Sequence, residues 1–572
     1  MRSKTNRTLN RRRFVEGLAI VGGAAAVGLR LGPARAADRL MRSGARCDLA
    51  IGALPVNITG RQRMATVVNG SLPGPTLRFR EGDAVTINVR NTLAAPTSIH
   101  WHGILLPNAM DGVPGLTFKG IMPGATFTYR FPLVQSGTYW YHSHSAMQEQ
   151  TGLYGPLIIE PRNQEPYAFD RDYVVMLSDW TDEDPMTVAA NLKQQSDYYN
   201  YARPTLGTFI ADAGRDGLRA ALRERLMWSR MRMSPADIMD VGGSTYTFLV
   251  NGRPPAANWT ALFEPGERIR LRFINASSMT TFDVRIPGLA MTVVQADGSN
   301  VEPVEVDEFR IGVAETYDVI VNMGPEPVYS IFAQAEDRSG YARATLAIRD
   351  GLQGPIPPMD PRPVRTMADM GMGDMKGMPD MASMTGAQDT SADIPTSNAD
   401  GVDPASLRGQ ASVDNVSMMP MNRLAEAGDG LDGNGRRNLT YADLRSATAD
   451  VDRSPPTRAI EFHLTGNMER FVWGFDGKAF AEAPPVHIGL GERVRFILIN
   501  DTMMEHPIHL HGYLFELENG RGDRLPLKHT VNVKPSEKLS FVFTADAPGY
   551  WAFHCHLMFH MENGMFRTVI VS

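Results

Sequence analysis

His554-Cys555-His556-Leu557-Met558-Phe559-His560-Met561-Glu562-Asn563-Gly564-Met565 ends seven residues before the C-terminus. Side chains alternate faces along an extended strand, so His554 and His556 point one way and Cys555 the other. One short piece of backbone would then serve two places. A thiolate joined by His560 and Met565 supplies the sulfur, imidazole and weak thioether set of an electron-transfer copper centre. A buried cysteine beside hydrogen-bonded histidines is the plainer reading of any single Cys-His pair. The decision rests on whether the chain supplies partners elsewhere.

It supplies three further clusters: His100-Trp101-His102, His142-Ser143-His144 and His506-Pro507-Ile508-His509-Leu510-His511. In each His-x-His pair the period of two sets both imidazoles on one strand face. His506 lies an odd number of residues before His509 and so faces the side that Cys555 occupies. Parity thus sorts His100, His102, His142, His144, His509, His511, His554 and His556 into one group, and His506 with Cys555 into another. His560 and Met565 join the second group because the chain turns after His556. Eight imidazoles suit a cluster of about three coppers, and two imidazoles with a thiolate and a thioether suit one. These clusters use ten of the 13 histidines. The other three, His463, His487 and His529, read as surface or hydrogen-bonded strand residues.

Working outward, one pattern occurs three times: an Asn-Gly or Asp-Gly turn, a Gly-acidic turn, then an alternating strand ending in Asn. The copies are Asn69-Gly70, Gly82-Asp83 and Val85 to Asn91; Asn251-Gly252, Gly266-Glu267 and Ile269 to Asn275; and Asp476-Gly477, Gly491-Glu492 and Val494 to Asn500. Each opens a segment dense in short strands and Gly/Pro turns, which predicts an all-β chain of three related β-sandwich domains. Their expected bounds are 45–165, 166–350 and 456–572. The middle one lacks a histidine where the outer two have His142 and His554, so it is expected to be a metal-free spacer, with a helical insertion from about Gly214 to Met233. Between them, 351–455 is rich in Pro, Gly, Asp and Ser and is expected to be a poorly ordered linker. It carries Met367, Met370, Met372, Met375, Met378, Met381 and Met384, then Met418, Met419 and Met421. Thioethers prefer Cu(I), so this tract is a candidate for Cu(I) recruitment, or else a low-complexity stretch without a role.

The 572 residues carry two cysteines, Cys47 and Cys555. A disulfide between them would consume the metal thiolate, so both are expected as thiols and Cys47 as a bystander. At the N-terminus, Asn10-Arg11-Arg12-Arg13-Phe14-Val15, a short glycine-rich apolar run and Ala34-Arg35-Ala36 read as a twin-arginine export signal, residues 1–36, directing the chain to the periplasm. Without it the net charge of −6 falls to about −13. An acidic surface argues against nucleic acid as a partner, and no stable membrane association is expected.

The four histidine motifs resemble those of the multicopper oxidases. More narrowly, Ile99-His100-Trp101-His102-Gly103-Ile104-Leu105-Leu106-Pro107, Met110-Asp111-Gly112-Val113-Pro114-Gly115 and the methionine-rich linker are similar to the periplasmic copper-resistance oxidases of the CopA/PcoA type. The resemblance spans Asp48 through Ser572. It implies three cupredoxin-like Greek-key sandwiches holding four copper ions per chain. It implies type 2 copper on His100 and His509, a type 3 pair on His102, His142, His144, His511, His554 and His556, and type 1 copper on His506, Cys555 and His560 with Met565 axial. It also points to Asp111 as a proton donor, although an Asp-Gly turn residue is the plainer reading. Glu562, after His560, reads as a solvated turn residue. The implied activity is oxidation of Cu(I) to Cu(II) by O2. A laccase-like phenol oxidase would share every ligand, and a copper-sequestering protein would use the methionines for storage. Three domains in one chain need no partner subunit, so a monomer is expected.

Overall fold

The computed structural model describes residues 46–572 apart from 232, 368, 371–398, 450, 451 and 453. The threefold sequence pattern turns out to be a threefold solution to one backbone problem. Asn69, Asn251 and Asp476 take φ of 51°, 49° and 55°, and Gly70, Gly252 and Gly477 follow with positive φ, the left-handed turn that Asn-Gly and Asp-Gly pairs tolerate. Each of the three turn residues uses its side-chain oxygen to accept from a neighbouring strand, at the N–H of Ala50, Met176 and His463 respectively. The closing asparagines are buried, and each donates its amide to two backbone carbonyls: Asn91 to Ala95 and Ile121, Asn275 to Thr280 and Ile311, Asn500 to Met504 and Val533. Each such amide ties the end of its strand to backbone where the chain leaves or enters a neighbouring strand, satisfying buried carbonyls there.

Each repeat folds into two sheets. In the first, Gln62–Val68, Arg46–Asn57, Ala84–Asn91 and Thr126–Pro132 make one sheet, and Leu77–Arg80, Tyr154–Glu160, Gly137–His142 and His100–His102 the other. The second repeat has sheets of six and five strands, the third of seven and five. In every repeat the first strand runs parallel to the strand that ends in the buried Asn: Arg46–Asn57 with Ala84–Asn91, Arg171–Trp180 with Arg268–Asn275, Arg458–Asn467 with Arg493–Asn500. Parallel neighbours cannot be joined by a hairpin, so the chain crosses to the opposite sheet and returns. The expected all-β architecture of three cupredoxin-like sandwiches is what the chain adopts.

Burial follows the layers. Arg46–Asn57 alternates, with Cys47, Leu49 and Ile51 inward, whereas Gly137–His142 is buried throughout. Tyr139 and Tyr141 of that strand fill the first sandwich, while Trp140 packs into a core continuous with the second and third. The strand carrying His142 is therefore covered on both faces, which holds its imidazole in a dry place.

Two sequence expectations change. The helical insertion begins earlier than Gly214, as α1 (Pro185–Gln194), α2 (Leu206–Asp216) and α3 (Leu218–Met231). The described parts of 351–455 do not behave as a loose linker. Arg365 and Met370 are buried, as are Leu407, Leu424, Leu439, Tyr441 and Leu444, and Asp360 accepts from Arg285 and Gln334 of the middle sandwich. Composition hid this because charged side chains of the segment pair with buried charges of the sandwiches, as Arg436 does with Glu308. No helix among the described residues is long and apolar enough to cross a membrane.

His463 is a buried strand residue whose Nδ1 lies 2.7 Å from Asp501 Oδ2. Burial pushes its pKa down, but the Asp501 and Glu461 carboxylates outweigh that and carry it up to about 9. A folded pKa above the unfolded value of about 6.5 means that the stabilisation is fully present below pH 6.5 and is lost as pH rises through 9. Urea midpoints measured across this window should fall in the wild type and fall less in His463→Gln.

Candidate metal centre

The strands His506–Leu510 and Gly549–Cys555 pair antiparallel with Ile508 opposite Cys555 and His509 opposite His554. His100–His102 pairs with Gly137–His142 so that His100 faces His142. Closing the first sandwich on the third then stacks His102 on His509, ring centroids 3.8 Å apart, and His100 on His511 at 3.9 Å. All eight imidazoles of the first parity group meet in one buried place between the sandwiches. Ligand atoms of His102, His142 and His556 lie within 4.8 Å of one another, as do those of His144, His511 and His554, and of His100, His102 and His509.

The outer nitrogens are spoken for, which fixes what the inner ones can do. His100 Nδ1 donates to the Asp111 carbonyl at 2.8 Å and His509 Nδ1 to the His529 carbonyl at 2.6 Å. His554 Nδ1 donates to the Cys555 carbonyl at 2.9 Å, His142 Nδ1 meets Glu149 at 2.6 Å, and His511 Nδ1 meets Asp111 Oδ2 at 3.0 Å. With Nδ1 as the donor, Nε2 is left as a lone pair. Nε2 of His100, His144, His509 and His556 is buried with no hydrogen-bond partner, and the Nε2 atoms of His511 and His554 face each other at 3.0 Å. Burial, together with the neighbouring imidazoles, holds the pKa values of His102, His142, His144, His509, His511 and His556 well below the usual range, and that of His554 at about 4. Neutral imidazoles aiming lone pairs at each other in a dry cavity repel unless cations lie between them. The donor set fits a cluster of copper ions.

On the other face of the same strand, His506 Nδ1 is 3.5 Å from Cys555 Sγ, His560 Nδ1 is 3.9 Å from it, and the two nitrogens are 3.2 Å apart. Their outer nitrogens are again occupied, His506 Nε2 by Thr502 Oγ1 at 2.7 Å and His560 Nε2 by Asp240 Oδ2 at 2.8 Å. Met565 is buried, and its carbonyl accepts from Cys555 N–H. Trp473 stacks on His560 with centroids 3.8 Å apart. Burial raises the Cys555 thiol pKa far above its usual value, so a metal must displace the proton.

Models of the family described as multicopper oxidase match residues 51–164, 171–350 and 453–572, the three sandwiches with their ligand strands. The chain belongs to the multicopper oxidases. Copper is the cofactor of these enzymes, four ions being typical. The chain is 52% identical to Copper resistance protein A of Escherichia coli, over 98% of this chain and 99% of that one. It is 52% identical to Copper resistance protein A of Pseudomonas syringae pv. tomato, over the whole of both chains. It is 31% identical to Multicopper oxidase MmcO of Mycobacterium tuberculosis, over 88% and 82%. Among solved structures, Fet3p, a multicopper oxidase that functions in iron import, superposes with a TM-score of 0.65 at 20% identity, covering 93% of this chain and 90% of that one.

Within this multicopper oxidase, Asp111 is a buried residue whose carboxylate reaches two imidazoles, with Oδ1 3.2 Å from His100 Nδ1 and Oδ2 3.0 Å from His511 Nδ1. The turn explains the placement. Gly112 has φ +85°, and a Cβ there would run into the Ile99 carbonyl, so only glycine lets the Asp111 loop lie under the strand. Glu562 is exposed, as the plain reading had it.

Sequence reading missed four residues. His529, taken for an ordinary strand histidine, is buried with Nδ1 3.2 Å from His102 Nε2, and with Thr530 Oγ1, also 3.2 Å away, it holds that outer nitrogen. Glu149 orients His142, and Asp240 and Asp297 come from the middle sandwich. Asp297 Oδ2 accepts from the N–H groups of His529 and Thr530. The middle domain is thus more than a spacer, since Asp240 reaches a ligand of one cluster and Asp297 the residues that support the other. No local motif marks these residues: Glu149 meets His142 from a turn of the same sandwich, and the other three act across a domain boundary.

Of the linker methionines, Met370 is buried in the core and Met367 packs against it, while Met418, Met419 and Met421 are exposed. Met370 is therefore a packing residue, because it has no surface to offer an incoming ion. Met372, Met375, Met378, Met381 and Met384 lie outside the described residues.

Asp240 is buried, which pushes its carboxyl pKa up to about 7, and His560 is its hydrogen-bond partner among the described residues. Asp240→Asn removes a negative group next to a centre that must carry more positive charge when oxidised. The potential of the blue centre should rise and its reduction by Cu(I) slow about tenfold, the usual scale for losing such a partner. Redox titration of the blue band checks the first effect and stopped-flow bleaching the second.

Proposed function

We propose that this chain is a periplasmic cuprous oxidase of copper resistance. In this reading His506, Cys555, His560 and Met565 hold the type 1 copper, and His100 and His509 the type 2. His102, His142, His144, His511, His554 and His556 hold the type 3 pair. The observation that carries it is the single stretch His554-Cys555-His556, whose cysteine joins one ligand cluster and whose flanking histidines join the other. Copper held there supplies one-electron acceptance at the thiolate and four-electron reduction of O2 at the cluster. Four Cu(I) ions each give up one electron, and O2 takes those four with four protons to leave two waters.

The chain's own residues do the rest. Cys555 and its two neighbours provide a through-bond path a few atoms long. Asp111, buried and hydrogen-bonded to His511, holds a carboxyl that can pass protons beside the cluster. The Asp240 carboxylate, buried on the outer nitrogen of His560, holds that imidazole in place and favours the oxidised, more positive state of the first centre. The 52% identity to two Copper resistance proteins A supports the physiological role. Under the same reading residues 1–36 are removed on twin-arginine export. Residues 45–165, 166–350 and 456–572 are the three domains, the protein acts as a monomer, and methionines of 372–384 recruit Cu(I).

Oxygen uptake with Cu(I) and with a phenol separates the alternatives. The comparison uses the full-length protein and a variant with Met372, Met375, Met378, Met381 and Met384 changed to Ser. Removing 360–425 would not serve, because buried Arg365, Leu407 and Leu424 would go with it. The variant should need severalfold more Cu(I) for half-maximal uptake while its phenol turnover stays unchanged. Phenol turnover without any Cu(I)-dependent uptake in the full-length protein would make it a laccase. A copper content well above four per chain only with the methionines intact would indicate storage.

A further inference from the structure

The insertion in the middle sandwich carries a surface that neither ligand cluster uses. Helices α2 and α3 form an antiparallel hairpin turned at Gly217, which has φ +89°. Thr205 and Thr208 cap α2 reciprocally, and Arg225 of α3 ties the pair together, bonding Asp212 at 3.0 Å and Thr208 at 2.8 Å. Only Ala221 and Trp228 of α3 are buried, and α2 has no buried residue. Trp228 joins the main core, and Met231 at the end of α3 packs against it.

The outer side is apolar. Leu218, Leu222 and Leu226 follow one another at intervals of four on α3 and are 63%, 49% and 50% exposed; Leu206 and Ile210 do the same on α2 at 75% and 63%. Residues four apart stack on one helix face, so the three leucines form a ridge on α3, and Leu206 with Ile210 a shorter stripe on α2. Arg219, Arg223 and Arg230 lie beside it, one position on from that stripe or close to it, all exposed. They make no ion pair among the described residues. Such cations stand out on a chain whose net charge is −6.

A soluble surface does not collect five exposed large aliphatics at helical spacing without a use. A protein groove would recess them, whereas these protrude, and arginines flanking a leucine ridge are what an amphipathic helix needs to lie in a lipid interface with its cations at the headgroups. We propose that the α2–α3 hairpin docks this protein reversibly on an anionic phospholipid surface, the ridge entering the acyl boundary and Arg219, Arg223 and Arg230 pairing with phosphates. One hairpin of this size gives weak, salt-sensitive attachment rather than anchoring.

Co-sedimentation of the copper-loaded protein with phosphatidylcholine vesicles, with or without about one-third phosphatidylglycerol, tests this. The wild type should bind the anionic vesicles and bind neutral ones at least about tenfold more weakly. Changing Leu218, Leu222 and Leu226 together to Ser, or Arg219, Arg223 and Arg230 together to Glu, should each weaken binding to anionic vesicles by at least about tenfold. All six positions are solvent-exposed and none contacts a copper ligand, so the blue absorption and melting temperature should be unchanged and certify the fold. Absence of wild-type binding, binding indifferent to headgroup charge, or full binding by both variants would overturn the proposal, including in favour of a protein partner for the same ridge.

Discussion

Cys555→Ser should be colourless and inactive while keeping about three coppers per chain. The intense blue absorption belongs to a copper–thiolate bond, and Cys555 is the thiol that the structure places between His506 and His560. Serine is smaller, and its hydroxyl cannot ionise in so dry a site, so the first centre loses its strongest ligand. The cluster on the other face loses nothing directly. Its imidazoles keep the outer hydrogen bonds described above, and those of His554 and His100 go to backbone carbonyls that the substitution leaves in place. Absorbance at the blue band, copper analysis and O2 uptake measured on one preparation separate this from misfolding. A variant that stayed blue, or that lost all its copper, would mean the two centres are assigned wrongly.

Asp111→Asn should lower O2 turnover by about 10²-fold or more with the blue band unchanged, the range expected when a positioned acid–base group is lost. The Asp111 carboxylate accepts from His511 through Oδ2 and sets Oδ1 3.2 Å from His100 Nδ1. An asparagine amide must turn its NH2 toward one of them and set donor against donor, and it has no proton to exchange. His100 retains its second bond, to the Asp111 carbonyl, so copper loading of the cluster should survive. Asp111→Glu, with the carboxyl kept but displaced, should recover part of the loss. Turnover within threefold of wild type in Asp111→Asn would return this residue to the role of an Asp-Gly turn.

The His463 and Asp240 effects are smaller because neither group touches the O2-reducing cluster, but they show where sequence reading stopped. His463 and His529 looked alike as isolated strand histidines. One proved to be a stabilising partner of Asp501, the other a support for His102 from 427 residues away. The methionine tract looked uniform, yet Met370 is core while Met418 is exposed, because a thioether serves packing and metal binding equally well and composition cannot choose. The hairpin ridge was legible only as an arginine-rich stretch, since exposure and not sequence distinguishes an outward leucine from a buried one.

What the sequence determined by itself was whatever depends on short-range geometry. The Asn-Gly and Asp-Gly turns and the strand-closing asparagines make their bonds within one sandwich, so three copies of the pattern specified three copies of the fold. Alternation of side chains along a strand separates Cys555 from His554 and His556 whatever surrounds them. Tertiary structure decided which groups hold the outer nitrogens of those ligands. Asp240 reaches His560 across 320 residues, and Asp111 reaches His511 across 400. Such contacts arise from how the sandwiches close on one another, and side-chain reach over that distance in the chain leaves no local periodicity to read.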